Sequence, residues 1–195
     1  MNSYPFLDNK VRPVFTTGLK DITPRVREER IIDISDSPLI PAKELRQKQE
    51  YLHMAGELDG GLPIVRDKIL VGLIPAPDLE FALDKLENED NSLCLMSTQV
   101  QWNTREDEEE EDDDPTDFTP YIDPAPVALD IHSPMDLVYE CFVKLGLRYI
   151  CVLRDGRYAG LVRHSMRTVF RCVTLTVSQV HKKAFVKYIK ELEEH

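Results

Sequence analysis

The chain has 195 residues, 42% of them hydrophobic; that suits one ordinary domain or two small ones and excludes global disorder. Its longest apolar run, "ILVGLI", is far too short to span a bilayer, and no charged-then-apolar leader is expected at its start. The net charge of −11 sits in one block: without residues 105–117 the remainder holds 25 acids against 23 bases, so nothing resembles the basic face that nucleic acid needs.

In chain order, "ERIIDI" reads as a short strand. In "SPLIPAKELRQKQEYLHMAGEL" the apolar residues fall at helical spacing, Leu45, Leu52 and Met54 among them, and Ser37-Pro38 opens the helix as a turn or cap signal. "GGLPIV" and "ILVGLI" read as two strands about a turn at Arg66-Asp67-Lys68. "PAPDLEFALDKLE" reads as a helix with Leu79, Leu83 and Leu86 on one face. The run Glu106 to Asp114 then holds nine of the 35 acids; it lacks the Gly turn and spaced oxygens of a calcium loop and reads as a solvated linker. Beyond it the order repeats: strand "APVALDI", helix "SPMDLVYECFVKLGL", strands "RYICVL" and "RYAGLV" about Arg154-Asp155-Gly156, and a final helix "HKKAFVKYIKELEEH".

The repeat can be counted. Arg66-Asp67 against Arg154-Asp155, and Gly72-Leu73 against Gly160-Leu161, both give an offset of 88. Leu83 against Ile189 and Leu86 against Leu192 give 106. The second copy therefore holds 18 extra residues, 162–179, after its last strand. A β-α-β-β-α unit of this size holds a core poorly alone. Two copies packed about a pseudo-twofold axis solve that and leave clefts suited to a ligand.

Other chemistry is thin. Cys94, Cys141, Cys151 and Cys172 show no CxxC pairing and read as reduced, buried thiols. The five histidines show no metal spacing, and no serine sits in a nucleophile elbow, so neither a metal site nor an enzyme is expected. The glycines of "DGGLP" fit an anion nest or a plain turn equally well.

The phrases "YPFLDNK", "ELRQKQEYLHMAGELDGGLPIV", "LVGLIPAPDLEFALDKLE", "DPTDFTPYIDPAP" and "SPMDLVYECFVKLGLRYICVLRDGRYAGLV" resemble the cytoplasmic tandem CBS-domain tail of CLC-type chloride channels and chloride/proton exchangers, especially fungal ones. The resemblance covers nearly all of the chain except the extra stretch. It implies an α+β fold, a tandem CBS-domain pair with a post-membrane segment (1–14), a first CBS domain (15–88), an acidic flexible linker (89–120) and a second CBS domain (121–195). It also implies a homodimer on the cytosolic face of a membrane, below a transmembrane domain that these residues do not contain.

In CBS pairs, clefts between the modules can hold an adenine nucleotide as a regulatory ligand: ATP, ADP or AMP, with no cofactor required. The resemblance gives Asp78 the ribose, with Leu147, Arg148 and Tyr149 flanking the adenine. The pseudo-symmetric cleft is degenerate, because Asp59, Gly60 and Ala184 stand where the aromatic, hydroxyl and ribose groups belong. The residues themselves leave alternatives open: Asp78 for a helix start, Tyr149 for core and Arg148 for a surface charge. The function implied is a dimer-stabilising, nucleotide-sensing tail of a chloride transporter; the alternative is a free-standing CBS protein that senses nucleotides or binds partners.

The extra stretch "VRHSMRTVFRCVTLTVSQ" has three Arg and no Asp or Glu. Its codons admit an in-frame intron start at Val-Arg and an end at Gln, and its removal restores the offset of 88 through "GLVHKKAFVKYIKELE". Sequencing the transcript checks this reading: a spliced message lacking codons 162–179 is expected, and a functional message that keeps them leaves a genuine loop.

Overall fold

The computed structural model describes residues 15, 17–57, 60–97 and 114–164. The final helix, Asp59, Ala184, Cys172, residues 1–14, acidic residues 106–113 and residues 165–179 lie outside them. The first half opens with a single turn α1 (Leu19–Ile22), then β1 (Ile32–Asp33), β2 (Leu39–Pro41), α2 (Ala42–Met54), β3 (Gly61–Arg66), β4 (Ile69–Pro75), α3 (Ala76–Asp84) and β5 (Leu93–Leu95). The second half has β6 (Ala128–Asp130), α4 (Met135–Lys144), β7 (Tyr149–Arg154) and β8 (Arg157–Arg163).

The two main sheets are copies. β1 lies parallel to β3 and β3 antiparallel to β4; β6, β7 and β8 repeat both senses. A parallel pair needs a long crossover, which α2 and α4 supply. Each hairpin turns on two left-handed residues, Asp67 and Lys68 (φ 52° and 66°) or Asp155 and Gly156 (φ 52° and 75°). That conformation matches the strand twist. The register also slips at matching points, Ile64/Val65 and Val152/Leu153, again 88 apart.

The helix starts differ from the expectation. In the second half, α4 begins directly after Ser133-Pro134. In the first half, Ser37-Pro38 precedes strand β2, which pairs with β5, and α2 begins four residues after Pro38. Leu45 and Leu52 are buried as expected, but Met54 is 83% exposed. Met54 lies two residues beyond Leu52, on the opposite side of the helix from the buried face Ala42, Leu45, Gln49 and Leu52.

The cores are exchanged between the halves. The first contains the α2 and α3 faces and the β3–β4 interior, together with Phe118 and Ile122 from the lead-in to the second half. The second contains the α4 face and the β7–β8 interior, together with Leu19 and Ile22 from the lead-in to the first. Ile22 and Ile122 are equally buried. Aromatic contacts fasten both arms: Phe15 meets Tyr139 of α4 at 5.7 Å, and Tyr121 meets Phe81 of α3 at 6.0 Å. The Lys85 Nζ donates to the Tyr121 hydroxyl at 2.8 Å.

The folded body therefore enters the stretch expected as linker from both sides. β5 occupies Leu93–Leu95, and Phe118, wholly buried, donates its N–H to the Leu95 carbonyl at 3.1 Å. Hydrophobic burial decides this: Met96 and Phe118 flank the acidic run and are worth about 2–3 kcal/mol each when buried. The first arm crosses β8 at Gly160, where a Cβ would stand 2.7 Å from the Pro24 carbonyl oxygen. Only glycine allows that approach.

Cys94, Cys141 and Cys151 are free and buried. Burial, with a smaller effect from the Glu89 carboxylate, pushes the Cys94 thiol up to about 11. Burial, with a smaller effect from Asp123, pushes Cys151 up to about 12. The unfolded thiols ionise from about pH 9 upward while the folded ones keep their protons. Stability is accordingly full below pH 9 and falls as pH rises through 11 and 12, by up to about 1.4 kcal/mol per thiol per pH unit. Urea unfolding from pH 8 to 11 measures this; a flat stability across that window contradicts it.

Candidate functional site

Asp78 is the third residue of α3, in its first turn. Pro75 takes the capping position without a side-chain hydrogen bond, so Asp78 is not serving as the cap. The Ala76 N–H donates to the Gly60 carbonyl at 3.0 Å, which ties the helix start to the residue before β3. The Asp78 carboxylate is exposed and makes no hydrogen bond or ion pair among the described residues. It stands at a helix N-terminus, where the backbone field favours negative charge.

Tyr149 opens β7 in the other half and is half-buried. Burial first, then the carboxylates of Asp123 and, beyond Cys151, Asp78 raise its hydroxyl above the ordinary value, while Arg148 acts in the other direction. The fold thus brings Asp78 and Tyr149, 71 positions apart, within electrostatic reach of each other. Arg148 is exposed, and its carbonyl accepts from the His164 N–H at 2.8 Å. Leu147 is half-buried against the second core. Asp123 was missed by sequence reasoning. Its backbone exchanges two hydrogen bonds with Leu73 (2.9 and 2.8 Å), and its carboxylate accepts from the Ala125 N–H at 2.9 Å. A signal existed in the match of "ITP" at Ile22 to "IDP" at Ile122.

The pseudo-symmetric position looks different. Asp59 and Ala184 lie outside the described residues, but Gly60 is buried against Arg163, whose Cδ would stand 3.2 Å from an added Cβ. The local sequence builds this. Gly56, left-handed at φ 68°, ends α2: the Glu57 N–H donates to the Leu52 carbonyl (2.8 Å) and the Gly56 N–H to that of His53 (3.0 Å). This Schellman turn sends the Glu57 side chain inward, 7% exposed. Arg30 and Arg163 both reach its Oε1, at 2.6 and 2.7 Å. The hollow they line has a volume of about 20 Å³, roughly the room of one water. Gln49, the other buried polar residue among those described, accepts at Oε1 from Arg46 (3.1 Å). Arg46 also binds Asp84 (2.8 Å) and Glu89, and those carboxylates, Glu89 foremost, raise its pKa.

Sequence reasoning missed Glu57 because nothing in a linear pattern pairs it with residues 27 positions before and 106 after. Arg163 lay in the extra stretch, yet β8 runs through Val162 and Arg163 in register with Ile150 and Tyr149.

The repeated sheets, exchanged arms and facing clefts define an α+β tandem CBS-domain pair. CBS domains of a transcriptional regulator from Streptococcus pneumoniae share the fold, with a TM-score of 0.50 at 9% identity, covering 80% of this chain and 98% of that one. No protein-family model matches the chain. Over 184 residues, 92% of its length, it is 27% identical to H(+)/Cl(-) exchange transporter 3 of Rattus norvegicus and 26% identical to that of Homo sapiens. The chain thus has the fold of a CBS-domain pair and is similar, along nearly its whole length, to a part of chloride/proton exchangers. It spans about a fifth of the length of these curated relatives, both mammalian. Among the described residues no helix is long and apolar enough to cross a membrane.

Glu57→Gln removes the shared counter-charge of two partly buried arginines. We expect a loss of about 3 kcal/mol, in the range for breaking a buried ion pair, read as a lower urea midpoint with unchanged slope. A variant as stable as the wild type refutes the assigned role.

Proposed function

We propose that the chain is the regulatory module of a CLC-type chloride channel or chloride/proton exchanger. In this reading it lies on the cytosolic face of a membrane, beneath the transmembrane domain of a longer parent protein, and stabilises a homodimer through its CBS pair. The observation that carries the reading is similarity along 92% of the chain to a fifth of an exchanger's length. A module that matches so completely a minor part of a transporter is suited to regulating transport rather than performing it.

The adenine nucleotide, ATP, ADP or AMP, is assigned to the cleft of Asp78, Leu147, Arg148 and Tyr149. The open Asp78 carboxylate can accept from both ribose hydroxyls, and the α3 N-terminus behind it favours phosphate. Tyr149 and Leu147 offer an apolar and aromatic flank, and Arg148 a cation. The opposite cleft, with Asp59, Gly60 and Ala184, has its described part filled by the Glu57 ion pairs, which supports assigning one ligand per pair rather than two. Regulation follows if the nucleotide prefers one packing of the pair, since differential affinity shifts the equilibrium of the attached transport domain.

Calorimetric titration with the three nucleotides tests the ligand. One site is expected, and Asp78→Ala should weaken it by about tenfold or more, the worth of a charged hydrogen bond. No heat and no thermal shift with any of them removes the sensing role. Genomic DNA upstream tests the parent: an in-frame sequence encoding many apolar helices is expected, and its absence overturns the transporter assignment.

A further inference from the structure

A larger cleft, of about 720 Å³, opens where the two hairpin turns meet the first arm. It lies apart from the nucleotide cleft: Lys68 and Asp78 flank opposite ends of β4, whose seven residues span roughly 20 Å. Five cations line it, Lys20 and Arg25 from the arm, Lys68 from the first hairpin, Arg154 and Arg157 from the second, against one acid, Asp155. None of the five makes an ion pair among the described residues, whereas Arg30, Arg46, Lys48, Lys144 and Arg163 are all paired. Asp33 and Asp67 line an adjoining hollow beside Lys68 and Arg157 and still leave the cations in excess. The backbone beneath is rigid. Both turns are fixed by left-handed residues, the Tyr158 N–H donates to the Lys68 carbonyl at 2.8 Å, and the arm is seated on Gly160.

Five like charges held round one cavity repel each other unless an anion neutralises them. The volume suits a small molecule rather than a protein surface, and two arginines suit bidentate contact with phosphate oxygens. We propose that this cleft binds a multiply phosphorylated small anion, either free or as a lipid headgroup, at a site independent of the nucleotide cleft. Its Tyr158 floor is half-buried and apolar apart from the hydroxyl, which gives a ring or chain between phosphates a surface to lie on.

The test titrates the full chain with inorganic tripolyphosphate and with inositol hexakisphosphate, and floats it with phosphatidylcholine vesicles with and without a phosphatidylinositol bisphosphate. One-to-one binding that weakens steeply with salt is expected. Arg154→Ala with Arg157→Ala, both exposed, should weaken it about tenfold or more, and Lys68→Ala, if the double variant fails to fold, by about threefold or more. Asp155→Asn should tighten it, and Asp78→Ala should leave it unchanged. Binding of the free anions assigns a soluble ligand; flotation alone, lost in the same variants, assigns a headgroup. The proposal is overturned by no binding in any arm, by equal affinity in the cleft variants, or by preference for polyglutamate over every phosphate.

Discussion

Each half of this chain lends an arm to the other, and the rest of the structure depends on that exchange. A three-stranded sheet with its crossover helix leaves one end of its core open. Leu19 and Ile22 close the second core, and Phe118 and Ile122 close the first. The arms then continue past the neighbouring hairpin before starting their own sheets. The first crosses at Gly160, and the second bonds to Leu73 through Asp123. Both clefts between the modules are bounded by these crossings. Loss of one arm would uncover apolar surface in the opposite half, so the two modules are expected to fold as one cooperative unit.

Pseudo-symmetry of the backbone does not extend to the chemistry of the clefts. On one side a Schellman turn delivers Glu57 to two arginines, and the space is taken by the protein's own charges. On the other side Asp78, near Tyr149, has no hydrogen-bond or ion-pair partner among the described residues. An internal salt bridge costs desolvation that its Coulomb energy only partly returns, so the filled cleft is better understood as fixing the packing of the halves than as a large net stabiliser. The exposed Asp78 carboxylate stays in water, at little cost to the fold.

Local features were the most legible. The hairpins, the helices α3 and α4 and the repeat offset follow from turn residues and apolar spacing, which act over a few positions. The start of α2 was not legible, because Leu39–Pro41 becomes a strand only through β5, more than 50 residues away. Phe118 was hidden for a similar reason: beside an acidic run it reads as linker, and only a cavity in the other half gives it a place. Of the candidate site, Asp78 and Tyr149 were named from the resemblance. Asp123, Glu57 and Arg30 were not, since their roles rest on contacts between segments whose spacing carries no period.

Arg163 is the second residue of the stretch 162–179 that the repeat offset marks as extra. A message without codons 162–179 would put Val180 where Val162 pairs with Ile150 and His181 where Arg163 meets Glu57. The carboxylate would then face one guanidinium and one imidazole in place of two guanidinium groups. RNA processing would in that case do more than lengthen a loop. It would choose whether a second arginine or a histidine stands opposite Glu57.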